Sequence, residues 1–165
     1  MDFQINPELD LVLERTTDVK PEQVWKAWTE PELLKKWFCP RPWQAVECSI
    51  DLRPGGAFRT VMKGPNGETV SGPPGCYLEV VPNRKLAWTN ALLPGYRPAP
   101  APKGEGEFLF TAVVLMEPHQ QGTKYTAIVI HENSKDRKAH EDMGFHAGWG
   151  AAFDQLVELV KSRKI

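Results

Sequence analysis

The side chains able to move a proton or attack a carbon near neutral pH are four histidines and three cysteines. His131 closes an apolar run and His146 falls in a helix-like tail. Imidazole titrates in the physiological range, so either could serve as general acid or base, and these two are the catalytic candidates. His140 stands beside Glu141 and Asp142, the residue types of a metal site. Its spacing argues otherwise: His140 and His146 are six residues apart, about 240° around a helix, whereas the paired histidines of a zinc-binding HExxH stretch share one face. No metal is expected. His119 follows Pro118 and reads as a solvated turn residue. Cys39, Cys48 and Cys76 are isolated, fit neither a disulfide framework nor a CxxC site, and have no base placed beside them. Neither a phosphate-binding GxxxxGK[ST] loop nor a GxGxxG motif occurs, so no cofactor is expected.

Charge adds little chemistry. Arg59 and Glu79 fall in mid-strand positions and are expected to face water; an inward Arg59 would select an anionic ligand. Glu47, Asp51 and Arg53 sit near strand ends, where they pair with one another or with solvent. With 20 basic and 21 acidic residues the formal net charge is −1, which leaves no electrostatic footprint for nucleic acid. Apolar runs are too short to span a bilayer, and the acidic start of the chain lacks a secretory apolar segment. A cytoplasmic, reducing setting is expected.

The elements that must position these groups follow from patterning. The length of 165 residues suits one domain. Leu9, Leu11 and Leu13 alternate with Asp10 and Val12 and predict a strand over residues 9–17. A short helix follows from Pro21. A second is predicted from Thr29 and Glu32 at capping-box spacing, with Leu33, Leu34, Trp37 and Phe38 on its apolar face and Pro40 and Pro42 ending it. Six strand segments come next, over 43–51, 57–63, 68–81, 85–92, 107–117 and 123–132, separated by tight turns such as Gly64-Pro65-Asn66-Gly67 and Gly104-Glu105-Gly106. The third is expected to break at Gly72-Pro73-Pro74-Gly75. Short successive strands suggest a curved antiparallel sheet. All 15 prolines lie at or before Pro118, and the proline-free tail from 134 to 164 predicts one long amphipathic helix. On it Phe145, His146, Trp149, Ala152, Phe153, Leu156 and Val160 share a face, and Gly144, Gly148 and Gly150 mark a bend or a close approach.

The order of elements is that of the helix-grip fold, an α+β arrangement in which a curved antiparallel sheet wraps a long C-terminal helix. Local stretches sharpen this. Residues 11–17 (LVLERTT), 21–38 (PEQVWKAWTEPELLKKWF), 51–58 (DLRPGGAF), 75–89 (GCYLEVVPNRKLAWT), 122–125 (GTKY) and 143–149 (MGFHAGW) resemble the START/SRPBCC superfamily. Within it they are similar to single-domain homologues of the heat-shock-protein-90 ATPase activator, also described as polyketide-cyclase-like. The resemblance runs from about residue 9 to 160. It implies a cavity between sheet and helix. The activator proper carries a separate N-terminal domain, whereas about eight residues precede the first strand here.

Strand alternation says what would line that cavity. Phe58, Thr60 and Met62 share a face, as do Leu86, Trp88 and Asn90; Phe108, Phe110, Ala112 and Val114; and Tyr125, Ala127, Val129 and His131. From the helices come Trp37, His146, Trp149 and Phe153. The expected ligand-binding set is Trp37, Phe58, Thr60, Met62, Trp88, Phe110, Tyr125, His131, His146, Trp149 and Phe153. Such a lining suits a small hydrophobic or aromatic molecule. The alternatives are a cofactor-independent cyclase, dehydratase or hydrolase using His131 or His146, and a chaperone-interaction module of the kind the resemblance implies. Residues 92–106 form a proline-rich loop. Its alternating prolines favour an extended, stiff conformation, read as a flap over the cavity mouth or an arm docking on a second subunit. Homodimerisation through that arm and Trp43 is a further expectation.

Overall fold

The computed structural model describes residues 4–104 and 107–163. Glu105 and Gly106 of the expected turn, and the Lys164 end of the expected helix, lie outside them. The chain runs β1 (Asp10–Thr17), α1 (Pro21–Thr29), α2 (Pro31–Leu34), β2 (Gln44–Ile50), β3 (Ala57–Lys63), β4 (Thr69–Ser71), β5 (Gly75–Val81), β6 (Lys85–Thr89), β7 (Leu92–Leu93), β8 (Arg97–Pro98), β9 (Phe110–His119), β10 (Gly122–His131), α3 (Ser134–Asp142) and α4 (Phe145–Arg163). The main sheet has the order β1-β10-β9-β6-β5-β3-β2, with β4 paired to β3, and every pairing is antiparallel. Its concave face packs on α1 and α4, forming the helix-grip half-barrel.

Alternation along the strands builds the core. Leu11 and Leu13 of β1, Leu86 and Trp88 of β6, Ala112 and Val114 of β9, and Tyr125, Ala127 and Val129 of β10 are buried in one cluster. Trp28, Phe145, Phe153, Leu156 and Val160 join it from the helices. A second, smaller cluster forms on the convex face around Ala87, Val113 and Ile128. Tyr125 and Phe153 stack at 4.2 Å and tie the sheet to the middle of α4.

Several expectations change. α2 is a single turn capped by Glu30, not Thr29, whose hydroxyl instead bonds back to the Trp25 carbonyl inside α1. At the start of α1 it is the Gln23 side chain that reaches back, accepting from the Lys20 amide at 2.9 Å. The long tail is two helices. The break falls at Met143-Gly144, where Gly144 takes φ +91°, the left-handed conformation that ends helices at glycine. Gly148 and Gly150 lie inside α4, and Gly150 faces Leu13 and Arg15 of β1. The segment expected over 107–117 begins only at Phe110, because the Asn90 side chain binds the Phe110 amide and the Phe108 carbonyl in place of a strand neighbour. Arg59 faces Glu47 at 3.4 Å, and Glu79 pairs with the largely buried Lys85.

The proline-rich arm also differs. Residues 92–98 fold back as the β7–β8 hairpin through Gly95 and Tyr96, both at positive φ. The arm rests on the turn after β2: the Gly95 amide donates to Gly55, whose face the Tyr96 ring covers. Trp43 is half-buried and packs over Gly64.

Candidate ligand-binding cavity

Four segments converge between the concave sheet face and the first half of α4. They line an open-sided cavity of about 500 Å³. α1 supplies Trp28; the chain after α2 supplies Trp37, Phe38, Cys39 and Pro40; the sheet supplies Met62, Phe110 and Tyr125; and the α3–α4 junction supplies His140, Met143, Phe145 and Trp149. An adjoining space of about 220 Å³ shares Phe38, Met62, Phe110 and Trp149 and adds Phe58, Thr60, Trp88 and the Gly72-Pro73 turn. The walls are an aromatic mesh. Trp28 meets Trp37 edge-on at 4.7 Å, Phe58 meets Trp88 at 5.3 Å, and Trp88 lies parallel to Trp149 at 6.4 Å. Such contacts contribute about 0.5–1.5 kcal/mol each beyond burial and hold the rings in place.

One wall is held by an amide that sequence reasoning missed. Gln155, buried on α4, donates to the carbonyls of Trp37 and Cys39 at 3.2 and 2.9 Å and accepts from the Arg41 amide at 3.0 Å. This clamps residues 37–41 against the helix.

Of the expected lining residues, Trp37, Met62, Phe110, Tyr125 and Trp149 border the larger space, and Phe58, Thr60 and Trp88 the smaller one. Phe153 instead packs behind Tyr125 in the core. His146 is exposed and touches Phe145 from outside, so it does not belong to the lining. At about 60° from Trp149 around α4 it sits on the edge of the buried stripe, in the first turn. None of residues 92–104 borders either space, so the described part of the arm is not a flap over this cavity.

His131 also stands off the lining, one layer back. Its Nε2 lies 3.0 Å from Nδ1 of His140, and its Nδ1 lies 2.9 Å from the Leu9 carbonyl oxygen. His140 is the member that borders the cavity, caged by Phe108, Phe110 and Phe145 at ring separations of 4.8–5.4 Å. Burial, with a smaller repulsion from His131, pulls its pKa down to about 4. Burial likewise pushes the Cys39 and Cys48 thiols up to about 11, so neither is a thiolate at neutral pH. The Tyr125 phenol is held far above its usual range by desolvation, against a weaker opposing influence of the Trp28 indole. Trp28 Nε1 is buried near the Tyr125 hydroxyl, but no acceptor among the described residues meets it in good hydrogen-bond geometry. No three His, Cys, Asp or Glu side chains come together as a metal site among those residues. Nor is any described helix long and apolar enough to cross a membrane.

A half-barrel gripping a C-terminal helix over an aromatic cavity defines a helix-grip protein of the START/SRPBCC kind. The family model described as "Activator of Hsp90 ATPase homolog 1-like protein" matches residues 18–161, and the chain belongs to that family. It is similar to protein NE0264 from Nitrosomonas europaea, with 48% identity, a TM-score of 0.90 and coverage of 97% of this chain and 99% of that one. An AHSA1-like protein from Aeromonas hydrophila shares the fold at 17% identity, with a TM-score of 0.70 and 94% of each chain covered. Protein Ms6760 from Mycobacterium smegmatis does so at 22% identity and 0.77, over 99% and 98%. No curated protein matches the chain.

Proposed function

We propose that this protein binds a small hydrophobic or aromatic molecule in the cavity between the sheet and α4. The observation that carries this reading is the cavity itself: about 500 Å³, walled by Trp, Phe, Tyr and Met with few polar groups. Sites for small molecules fall in the range of about 300–1,000 Å³ with this kind of lining. Binding is favoured over acid–base catalysis by the state of His140. An imidazole whose conjugate acid has a pKa of about 4 is a weak base at neutral pH, whereas an effective general base is tuned near the working pH. Three free cysteines support a reducing compartment such as the cytoplasm.

Mass spectrometry of small molecules released from the purified protein, combined with thermal shifts in 4-phenylphenol and 4-methylbiphenyl, tests the proposal. A ligand at a hundred times its Kd adds about 2.7 kcal/mol of stability, or about 5–10 °C for a chain of this size. No co-purifying molecule and no shift with either probe would overturn it.

A further inference from the structure

We infer that His140 is the hydrogen-bond acceptor of the cavity, and that the protein selects neutral apolar or aromatic molecules carrying a hydroxyl or N–H donor. This rests on the cavity being a binding site, and it adds the polar half of the ligand.

The inference follows from proton placement along a short chain of contacts. The Leu9 carbonyl oxygen can only accept, so the His131 Nδ1 at 2.9 Å from it must carry a hydrogen. In a neutral ring that leaves His131 Nε2 bare. His140 Nδ1 lies 3.0 Å from that bare nitrogen and must therefore be the donor. In neutral His140 the remaining nitrogen, Nε2, is then an acceptor, and it has no hydrogen-bond partner among the described residues. The residue is 9% exposed and its ring borders the larger cavity. Facing the cavity, that nitrogen is open to a ligand donor, and one such hydrogen bond contributes about 0.5–1.5 kcal/mol.

His131 is the positioning residue: through the Leu9 carbonyl, just before β1, it fixes which tautomer His140 presents. The surroundings of His140 also favour an uncharged group there. The groups packed on His140 are Phe108 and Phe110 from the sheet side, Phe145 from α4 and His131 from β10. Among these described neighbours no carboxylate stabilises an imidazolium. A carboxylate ligand at His140 would meet the Nε2 lone pair; the one arginine on the adjoining space among the described residues, Arg59, pairs with Glu47. A neutral phenol, alcohol or amide N–H fits.

The test compares 4-phenylphenol with 4-methylbiphenyl, which replaces the hydroxyl by a methyl group of similar size. Affinities are read by calorimetry on the full chain and on His140→Phe. In the wild-type protein the phenol should bind about 5- to 10-fold more tightly, the factor expected of one hydrogen bond. In His140→Phe that preference should disappear while 4-methylbiphenyl still binds. His146→Phe, altered at an exposed position, should keep the preference. Equal affinities in the wild type, or a preference that survives in His140→Phe, would overturn the acceptor role and leave hydrophobic binding standing. Binding of neither molecule would refute the binding proposal as well. Should His140→Phe fail to fold, imidazole ¹⁵N shifts of the wild-type protein decide. A protonated Nδ1 and a bare Nε2 on His140, with only Nε2 shifting on phenol addition, support the inference; a protonated Nε2 overturns it.

Discussion

Acid should destabilise this protein through a single buried ring. In the native state His140 is held neutral, with its pKa lowered from 6.5 to about 4 chiefly by desolvation. Unfolding returns the ring to water. Between those two pH values the unfolded chain therefore binds more protons than the native one, and stability must rise with pH. The contribution is fully present above about pH 6.5 and is lost as the pH falls toward 4. The fall from 6.5 to about 4, at about 1.36 kcal/mol per pH unit and discounted for the water that still reaches the ring, contributes on the order of 2–3 kcal/mol. Urea unfolding measured from pH 7.5 to 4 on the wild type and on His140→Phe isolates it, because other carboxylates and histidines titrate in both. Asp18, whose pKa is lowered first by its bond to Lys161, is one such common background. The wild type should lose about 2–3 kcal/mol more than the variant across the interval. Parallel profiles, or a His140 ring that titrates near 6.5 by proton NMR, would refute the assignment of a desolvated, neutral imidazole.

Other perturbations have equally definite outcomes. Gln155→Leu leaves two carbonyls and one amide of residues 37–41 without their partner; it should cost about 2–4 kcal/mol, visible as a melting point lower by about 5–15 °C. Gly144→Ala forces a Cβ into positive φ and should destabilise by about 1–2 kcal/mol. Gly150→Ala should be neutral or stabilising by up to about 1 kcal/mol, since the nearest atom to the new methyl is the mobile end of Arg15 at 3.2 Å. Ala152→Phe, on the cavity wall, should abolish the thermal shift with 4-methylbiphenyl while the protein remains folded. Deleting residues 99–103 should leave both the fold and the affinity for 4-phenylphenol unchanged, because none of them borders the cavity.

Much of the fold was legible because its signals are local. Turn residues punctuate the strands, and β3 runs over Ala57–Lys63 as the pattern predicts. Even the interruption between β4 and β5 follows from Gly72-Pro73-Pro74-Gly75. What escaped depends on how elements meet. The helix break falls at Gly144, which takes a positive φ; the pattern marks Gly144, Gly148 and Gly150 alike as a bend or close approach, and the choice among them is made by how α3 and α4 pack. The His131–His140 contact joins residues nine apart across a strand-to-helix turn, so its distance is set by the angle between β10 and α3 rather than by any spacing in the chain. Gln155 lies about 120° from Trp149 around α4, outside the apolar stripe, and is buried only because residues 37–41 cover that flank. The arm between Pro94 and Pro102 looked extended from its prolines, but Gly95 and Tyr96 turn its first half into a hairpin.

The Gln155 clamp makes one backbone amide into a gauge. Arg41 sends its N–H to a helix side chain rather than to a neighbouring strand. Its exchange with deuterium therefore reports the parting of residues 37–41 from α4 without requiring the sheet to open. If that parting is how a molecule enters between Phe38 and Trp149, the Arg41 amide will exchange faster than those of β9 and β10, by a sub-global route. Its slowing on addition of 4-phenylphenol would then measure how firmly the occupied cavity is shut.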